Sequence, residues 1–353
     1  MKVIDYIGHP TLAILILLVS TMILTTCERR PLEYDELPSS ARFDVKIDWS
    51  MSGIIPEGDN KDVHRVSFRF FPKNKQSQVF DRYLEGKVTE GKIDDVPLGK
   101  FSVIVFNESV DDHWEGVLSF TDINSYDDFA ANAVFDKTAP HPQKFPFYKP
   151  LAGEKFIVEP LKLASWSIKD FEVTENMILV MQGARPSHVL SDEETEMVNA
   201  FTNVVMRALT RPVNLTANVE NVVSAQATYM AMRGFASKVY MASGRTTNSA
   251  VSYLFTLGKR TVYSDGKNGA LHGSFQCFGR VSSGESYQLA ADVLFGTGEL
   301  YKPTPPLLFD VTNQVIPNYN TKVPIDLSIQ FNLPFVEGGI SVEDWDDEVY
   351  TLE

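Results

Sequence analysis

The sequence predicts an all-β protein with one or two helices. From Ala41 onward apolar residues recur with a period of two, and Gly-, Pro-, Asn- and Asp-containing breaks separate the runs. Only residues 191–210 show clear helical spacing.

The first strand is the most regular. Residues 41–49 place Phe43, Val45, Ile47 and Trp49 on one face and Arg42, Asp44, Lys46 and Asp48 on the other, the pattern of a half-buried antiparallel strand. Residues 66–71 alternate similarly before Pro72, while residues 99–107 are apolar on both faces, as a central strand is. Breaks at 53–60, 86–91 and 94–99 divide these runs, a spacing that suggests a sandwich. Residues 125–137 have the composition of a short helix, but 138–150 carry four prolines among aromatics and cannot lie inside a sheet. That stretch reads as a long excursion. Strand patterning resumes at 156–158 and 173–181.

The helix opens on a capping box, Ser191 followed by Glu194, with acids crowding its first turn. Met197, Phe201, Val204, Val205 and Ala208 follow as a stripe that packing against a sheet explains, and Arg207 and Arg211 lie near its end. It is expected to open a second domain. Beyond it, Val213, Leu215, Ala217 and Val219 alternate, as do Val323, Ile325, Leu327, Ile329 and Phe331. Between these lie four further strand-like runs, 225–232, 251–257, 274–281 and 287–295.

The only continuous apolar run, 11–24, is shorter than the roughly 20 residues of a membrane span and suits a secretory signal. Cys27 follows it, and the chain then turns abruptly polar. A cleaved signal whose first mature residue is cysteine is the arrangement of a bacterial lipoprotein; a plain signal peptide and an uncleaved anchor are the alternatives. The charged, proline-containing segment up to Ser40 reads as a tether. The expected organisation is a signal peptide over 1–26, a lipid-proximal tether over 27–40, an N-terminal β-sandwich over 41–185 and a C-terminal β-sandwich over 186–353.

A net charge of -14 argues against nucleic acid as a partner and against an electrostatic hold on anionic lipid. The membrane contact is therefore assigned to lipid on Cys27. With Cys27 acylated, Cys277 has no disulfide partner, and its place beside Phe275 in an alternating stretch reads as a small buried hydrophobe.

No metal ligand set emerges: the six histidines are dispersed, without paired spacing. Nor does the chain contain a nucleophile elbow, a phosphate-binding glycine loop or a dinucleotide fingerprint. No catalytic residue is assigned, no enzyme is expected, and no cofactor is expected beyond the covalent lipid. Acidic groups at Asp111–Asp112, around Asp122 with Asp127–Asp128, and over 343–348 read as solvated faces. Trp114, Trp166, Trp345 and the group Phe145, Phe147 and Tyr148 are candidate contacts for a glycan or a partner, with burial in a core or a domain interface as the alternative.

The cysteine with CERRPLEYDE, the strand running into DWS, VSFRFFP, the LGKFSVIVFN strand followed by DD, and the ending GGISVEDWDDEVYTLE resemble the fimbrillin-related lipoproteins of Bacteroides-type bacteria. They are most similar to the anchor and accessory members of the type V pilus group. The resemblance implies two tandem transthyretin-like β-sandwich domains, export as a lipoprotein, and display on the cell outer membrane. It also implies fimbrillin-like subunits as partners, engaged by β-strand addition. Arg29 and Arg30 precede Pro31, a poor context for cleavage by an arginine-specific protease, so retention of Cys27 is expected. The segment 341–353 reads either as an added strand or as the last strand of the second sandwich. The resulting expectation is a fimbrial anchor or accessory subunit, with a glycan- or ligand-binding surface lipoprotein as the alternative.

Overall fold

The computed structural model describes residues 39–58, 62–110, 117–137, 139, 150, 152–281, 286–304, 306–319 and 324–336. Strand β1 (Ser40–Asp48) pairs antiparallel with β5 (Glu90–Pro97) and parallel with the short β11 (Asn203–Val205), and β4 (Glu85–Lys87) lies beyond β5. Its alternation is as the sequence predicts: Phe43, Val45 and Ile47 are buried while the charged residues between them face outward. Residues 86–91, expected as a break, form a hairpin in which Gly86 lies opposite Gly91.

A second sheet runs in the order β12 (Arg207–Ala208), β10 (Ala164–Val173), β6 (Gly99–Phe106), β2 (Ser67–Pro72) and β3 (Phe80–Tyr83). Its central strand is β6, the strand apolar on both faces. Phe101, Val103 and Val105 join the core shared with β1, whereas Ile104 and Phe106 belong to the other core. There Phe106 meets Phe120 and Phe129 at centroid distances of 5.7 and 5.6 Å. Those rings belong to a small third sheet of β7 (Leu118–Thr121), β8 (Ala130–Ala133) and β15 (Lys238–Tyr240), and to the turn before β8. Residues 130–133, expected within a short helix, are thus a strand. Small residues let β8 lie between β7 and β15 with its backbone paired on both sides.

Residues 173–181 also differ from expectation. The strand stops at Val173, and α1 (Glu175–Met181) begins, because Thr174 accepts the Met177 N–H on its hydroxyl at 3.2 Å. It ends on Gly183, whose φ of 75° lets Ala184 N–H reach Leu179 O (2.8 Å) and Gly183 N–H reach Val180 O (3.0 Å).

The predicted helix is α2 (Asp192–Thr202), and its capping box is present: Ser191 Oγ accepts from Glu194 N–H, and Glu194 accepts from Ser191 N–H. Its packing departs from the expectation. Phe201 stacks on Phe171 at 4.4 Å and meets Phe43 at 4.9 Å and Phe68 at 5.7 Å, so the helix completes the first core rather than opening the second half. Val204 and Met206 belong to the same core, and Leu209 and Val213 to the other.

In the second half, β13 (Arg211–Glu220) pairs antiparallel with β18 (Gly269–Cys277) and parallel with β21 (Ile325–Asn332), and β17 (Lys259–Val262) flanks β18. The facing sheet runs β20 (Leu307–Asp310), β19 (Gln288–Phe295), β14 (Ala225–Ala236), β16 (Ala250–Leu257) and β9 (Phe156–Ile157). Val213, Leu215, Ala217 and Val219 share one core with Ile325, Leu327, Ile329 and Phe331, as their alternation requires. A third helix, α3 (Thr312–Tyr319), follows β20, so the chain has three helices against the one or two expected among the described residues. Val311 and Val315 fix it to this core.

Cys277 is fully buried, and burial pushes its thiol up to about 12. It is the small hydrophobe the sequence suggests. The halves interlock, since β9 adds to the C-terminal sheet and β15 to the sheet of β7 and β8; from Ser40 onward the chain is one compact unit.

Candidate functional site

A sheet that ends in a long strand presents unpaired N–H and C=O groups to any chain that can pair with them. Most terminal strands here are short. On the outer sheets, β4, β11 and β12 span two or three residues, and β3, β17 and β20 span four. β4 and β17 also carry Glu85, Lys87, Lys259 and Arg260. Beyond Ser165, β10 is left uncovered by β12, but a register shift and the exposed Lys169 and Asp170 break its edge.

The exception is β21, eight residues long and terminal in its sheet. Ile325, Leu327, Ile329 and Phe331 anchor it in the core, and Asp326, Ser328, Gln330 and Asn332 face solvent. Its inner edge is held by β13 along all eight residues. On the outer edge, the Gln314 carboxamide of α3 donates to Ser328 O at 2.9 Å and accepts from Ser328 N–H at 2.7 Å. One side chain thereby makes the exchange of hydrogen bonds that a neighbouring strand makes at one rung.

A separate cleft of about 780 Å³ opens where β10, β12 and the turn after β15 meet. Trp166, Arg207 and Arg211 line it together with serine hydroxyls.

The sequence-predicted contacts Cys27, Trp114, Phe145, Phe147, Tyr148 and Trp345 lie outside the described residues, as do Asp111–Asp112 and the acidic segment 343–348. Of the aromatic candidates, Trp166 lies in the cleft wall. Asp122 and Asp127 face Lys238 and Lys169 at 3.5 Å, and Asp128 accepts from Ser125 Oγ; these carboxylates are not gathered on one point. Among the described residues no group of three His, Cys, Asp or Glu side chains is placed to hold a metal ion, and no helix is long and apolar enough to cross a membrane. His272 sits between Thr216 Oγ1 and Thr261 Oγ1 at 3.2 and 3.4 Å, and burial lowers its pKa.

Sequence reading missed Gln314 and the pairing of Arg207 with Arg211 in a cleft. Nothing in the composition around Gln314 marks a residue that bonds a strand 14 positions away. Arg207 and Arg211 were visible, but as the basic end of a helix that stops at Thr202.

Residues 26–256 match the family model described as a domain of unknown function, DUF5119, which is more than half of the 353 residues. The chain belongs to this family. The fold of this DUF5119 member is similar to that of a candidate adhesin from Bacteroides ovatus, with a TM-score of 0.51 at 16% identity, over 87% of this chain and 97% of that one. A second candidate adhesin from Bacteroides ovatus aligns with a TM-score of 0.45 at 13% identity, covering 89% and 96% of the two chains. The fimbrial anchor protein Mfa2 from Porphyromonas gingivalis aligns with a TM-score of 0.43 at 11% identity, covering 82% and 90%. No curated protein matches the chain. The all-β fold and its relatives agree with the sequence resemblance to fimbrillin-related proteins of Bacteroides-type bacteria.

Proposed function

We propose that this DUF5119 member is a structural, non-enzymatic lipoprotein of the outer membrane, an anchor or accessory subunit of a fimbria-like assembly that takes up a partner strand along the outer edge of β21. Lipid on Cys27 fixes one end. The two core clusters correspond, in this reading, to two tandem transthyretin-like sandwiches, with the change from one to the other between Met206 and Leu209. Fold similarity to a candidate adhesin over nearly all of that protein's length supports the class of role. The observation that carries the mechanism is β21 itself, an eight-residue terminal strand with a buried inner face and one side-chain amide on its outer edge.

Strand addition draws on hydrogen bonds from alternate residues of the edge, so removing one outward N–H breaks the new ladder without touching the old. Ser328 is that position, because its N–H already points at Gln314 rather than β13. Proline is compatible with edge strands whose N–H faces solvent. Ser328→Pro is expected to retain the circular dichroism spectrum of the wild type and to lose capture of a purified fimbrillin-like subunit. Unchanged capture by a folded Ser328→Pro chain would refute addition at this edge.

A further inference from the structure

The cleft between β10, β12 and the turn after β15 takes no part in the strand-addition reading. Its volume of about 780 Å³ falls among small-ligand sites, which run from about 300 to 1,000 Å³. Its charge is opposite to that of the molecule. The chain carries a net charge of -14, yet the described residues lining this cleft include Arg207 and Arg211 and no carboxylate. The nearest acid in sequence to the lining Ser50, Asp48, is already hydrogen-bonded to the Ser50 N–H at 2.8 Å. A guanidinium presents planar paired donors that match a carboxylate, and two of them in one recess attract an anion that the rest of the surface repels.

The remaining lining narrows the class of anion. Ser165 Oγ donates to Met241 O at 2.7 Å and Ser167 Oγ donates to Ala242 O at 2.9 Å. With their hydrogens committed, both hydroxyls offer acceptor lone pairs, which suit a ligand rich in O–H groups. Ser243 adds a third hydroxyl. Trp166 packs partly against the first core, and its remaining surface forms part of the cleft wall, a flat apolar patch beside the polar groups. Guanidinium donors, hydroxyl acceptors and an indole together match the carboxylate, hydroxyls and C–H face of an acidic sugar. An acidic peptide would use the arginines but brings few O–H donors for the serines.

We infer that this cleft binds a carboxylate-bearing saccharide, with Arg207 and Arg211 on the carboxylate and Trp166 against the ring. The full chain is titrated calorimetrically with oligogalacturonides, oligomannuronates and glucuronate-containing oligosaccharides, each beside its methyl ester, and with a hexa-aspartate peptide. At least one acid form is expected to bind at least about tenfold more tightly than its ester, and Arg207→Glu to weaken it by a similar factor. Arg207 is exposed, so the variant's thermal midpoint is expected to stay at the wild-type value, and Arg207→Lys to retain part of the binding. Binding to none of the three acid series, equal binding of acids and esters, or indifference to Arg207→Glu would each overturn the site. Tighter binding of the peptide than of every saccharide would overturn the ligand class. None of these outcomes depends on Ser328, so the test stands apart from that of the β21 edge.

Discussion

Gln314 holds, with one carboxamide, a rung of β21 that an incoming strand needs. Its two hydrogen bonds are solvent-exposed, so their net contribution is at the low end of the usual range, about 1 kcal/mol together. A partner strand must break them before pairing with Ser328. Gln314→Ala therefore removes a competitor, and the partner subunit is expected to bind about fivefold more tightly, the equivalent of about 1 kcal/mol. Surface plasmon resonance with immobilised subunit reads this directly; weaker or unchanged binding would show that Gln314 does not guard the edge. No sequence pattern announced this contact. A glutamine in a short helix has many possible partners, and only the fold brings it to Ser328.

The elements show which signals survive in a sequence. β1, β13 and β21 were legible because one face is buried and the other wet, so chemistry alternates with geometry at every residue. β6 was legible for the opposite reason, being covered on both faces. α1 was not, since Met177 to Met181 is an unbroken apolar run in which helical and strand periods look alike; the deciding group was the Thr174 hydroxyl. α2 was announced by its capping box, but the sequence did not say which core Phe201 would enter.

Thr174 also donates to the Glu194 carboxylate of that box, joining the starts of both helices. This hydrogen bond, followed by those from Ser191, holds the Glu194 carboxyl below its ordinary value of 4.5 despite its burial. A carboxyl held low in the folded chain contributes stability above its unfolded pKa, and the contribution is lost as pH falls through the folded value. Glu194→Gln is expected to cost about 1 kcal/mol near neutral pH. The gap from wild type should close between about pH 5 and about pH 3 in urea melts. A gap that persists in acid would assign the loss to packing instead.

At the scale of the whole molecule, the interlocked halves give a rigid body on which a tether and an edge have separate tasks. β9 and β15 each cross to the other half's sheet, so force applied at one end is carried through paired backbone rather than through a linker. The acidic surface offers little attraction to anionic lipid, which leaves the acyl group to hold the membrane. Radiolabelled palmitate is expected to enter the wild type and not Cys27→Ala, with the variant recovered in the soluble fraction. Unlabelled wild type would remove the anchor from this account.

The central claim is that a partner strand lies along β21, and amide hydrogen exchange of the full chain with and without a purified fimbrillin-like subunit tests it most directly. The outward amides of Asp326, Ser328 and Gln330 should gain protection on complex formation, while those of Leu327 and Ile329, already paired to β13, change little. A complex that forms while those three outward amides exchange at their free rate would contradict it.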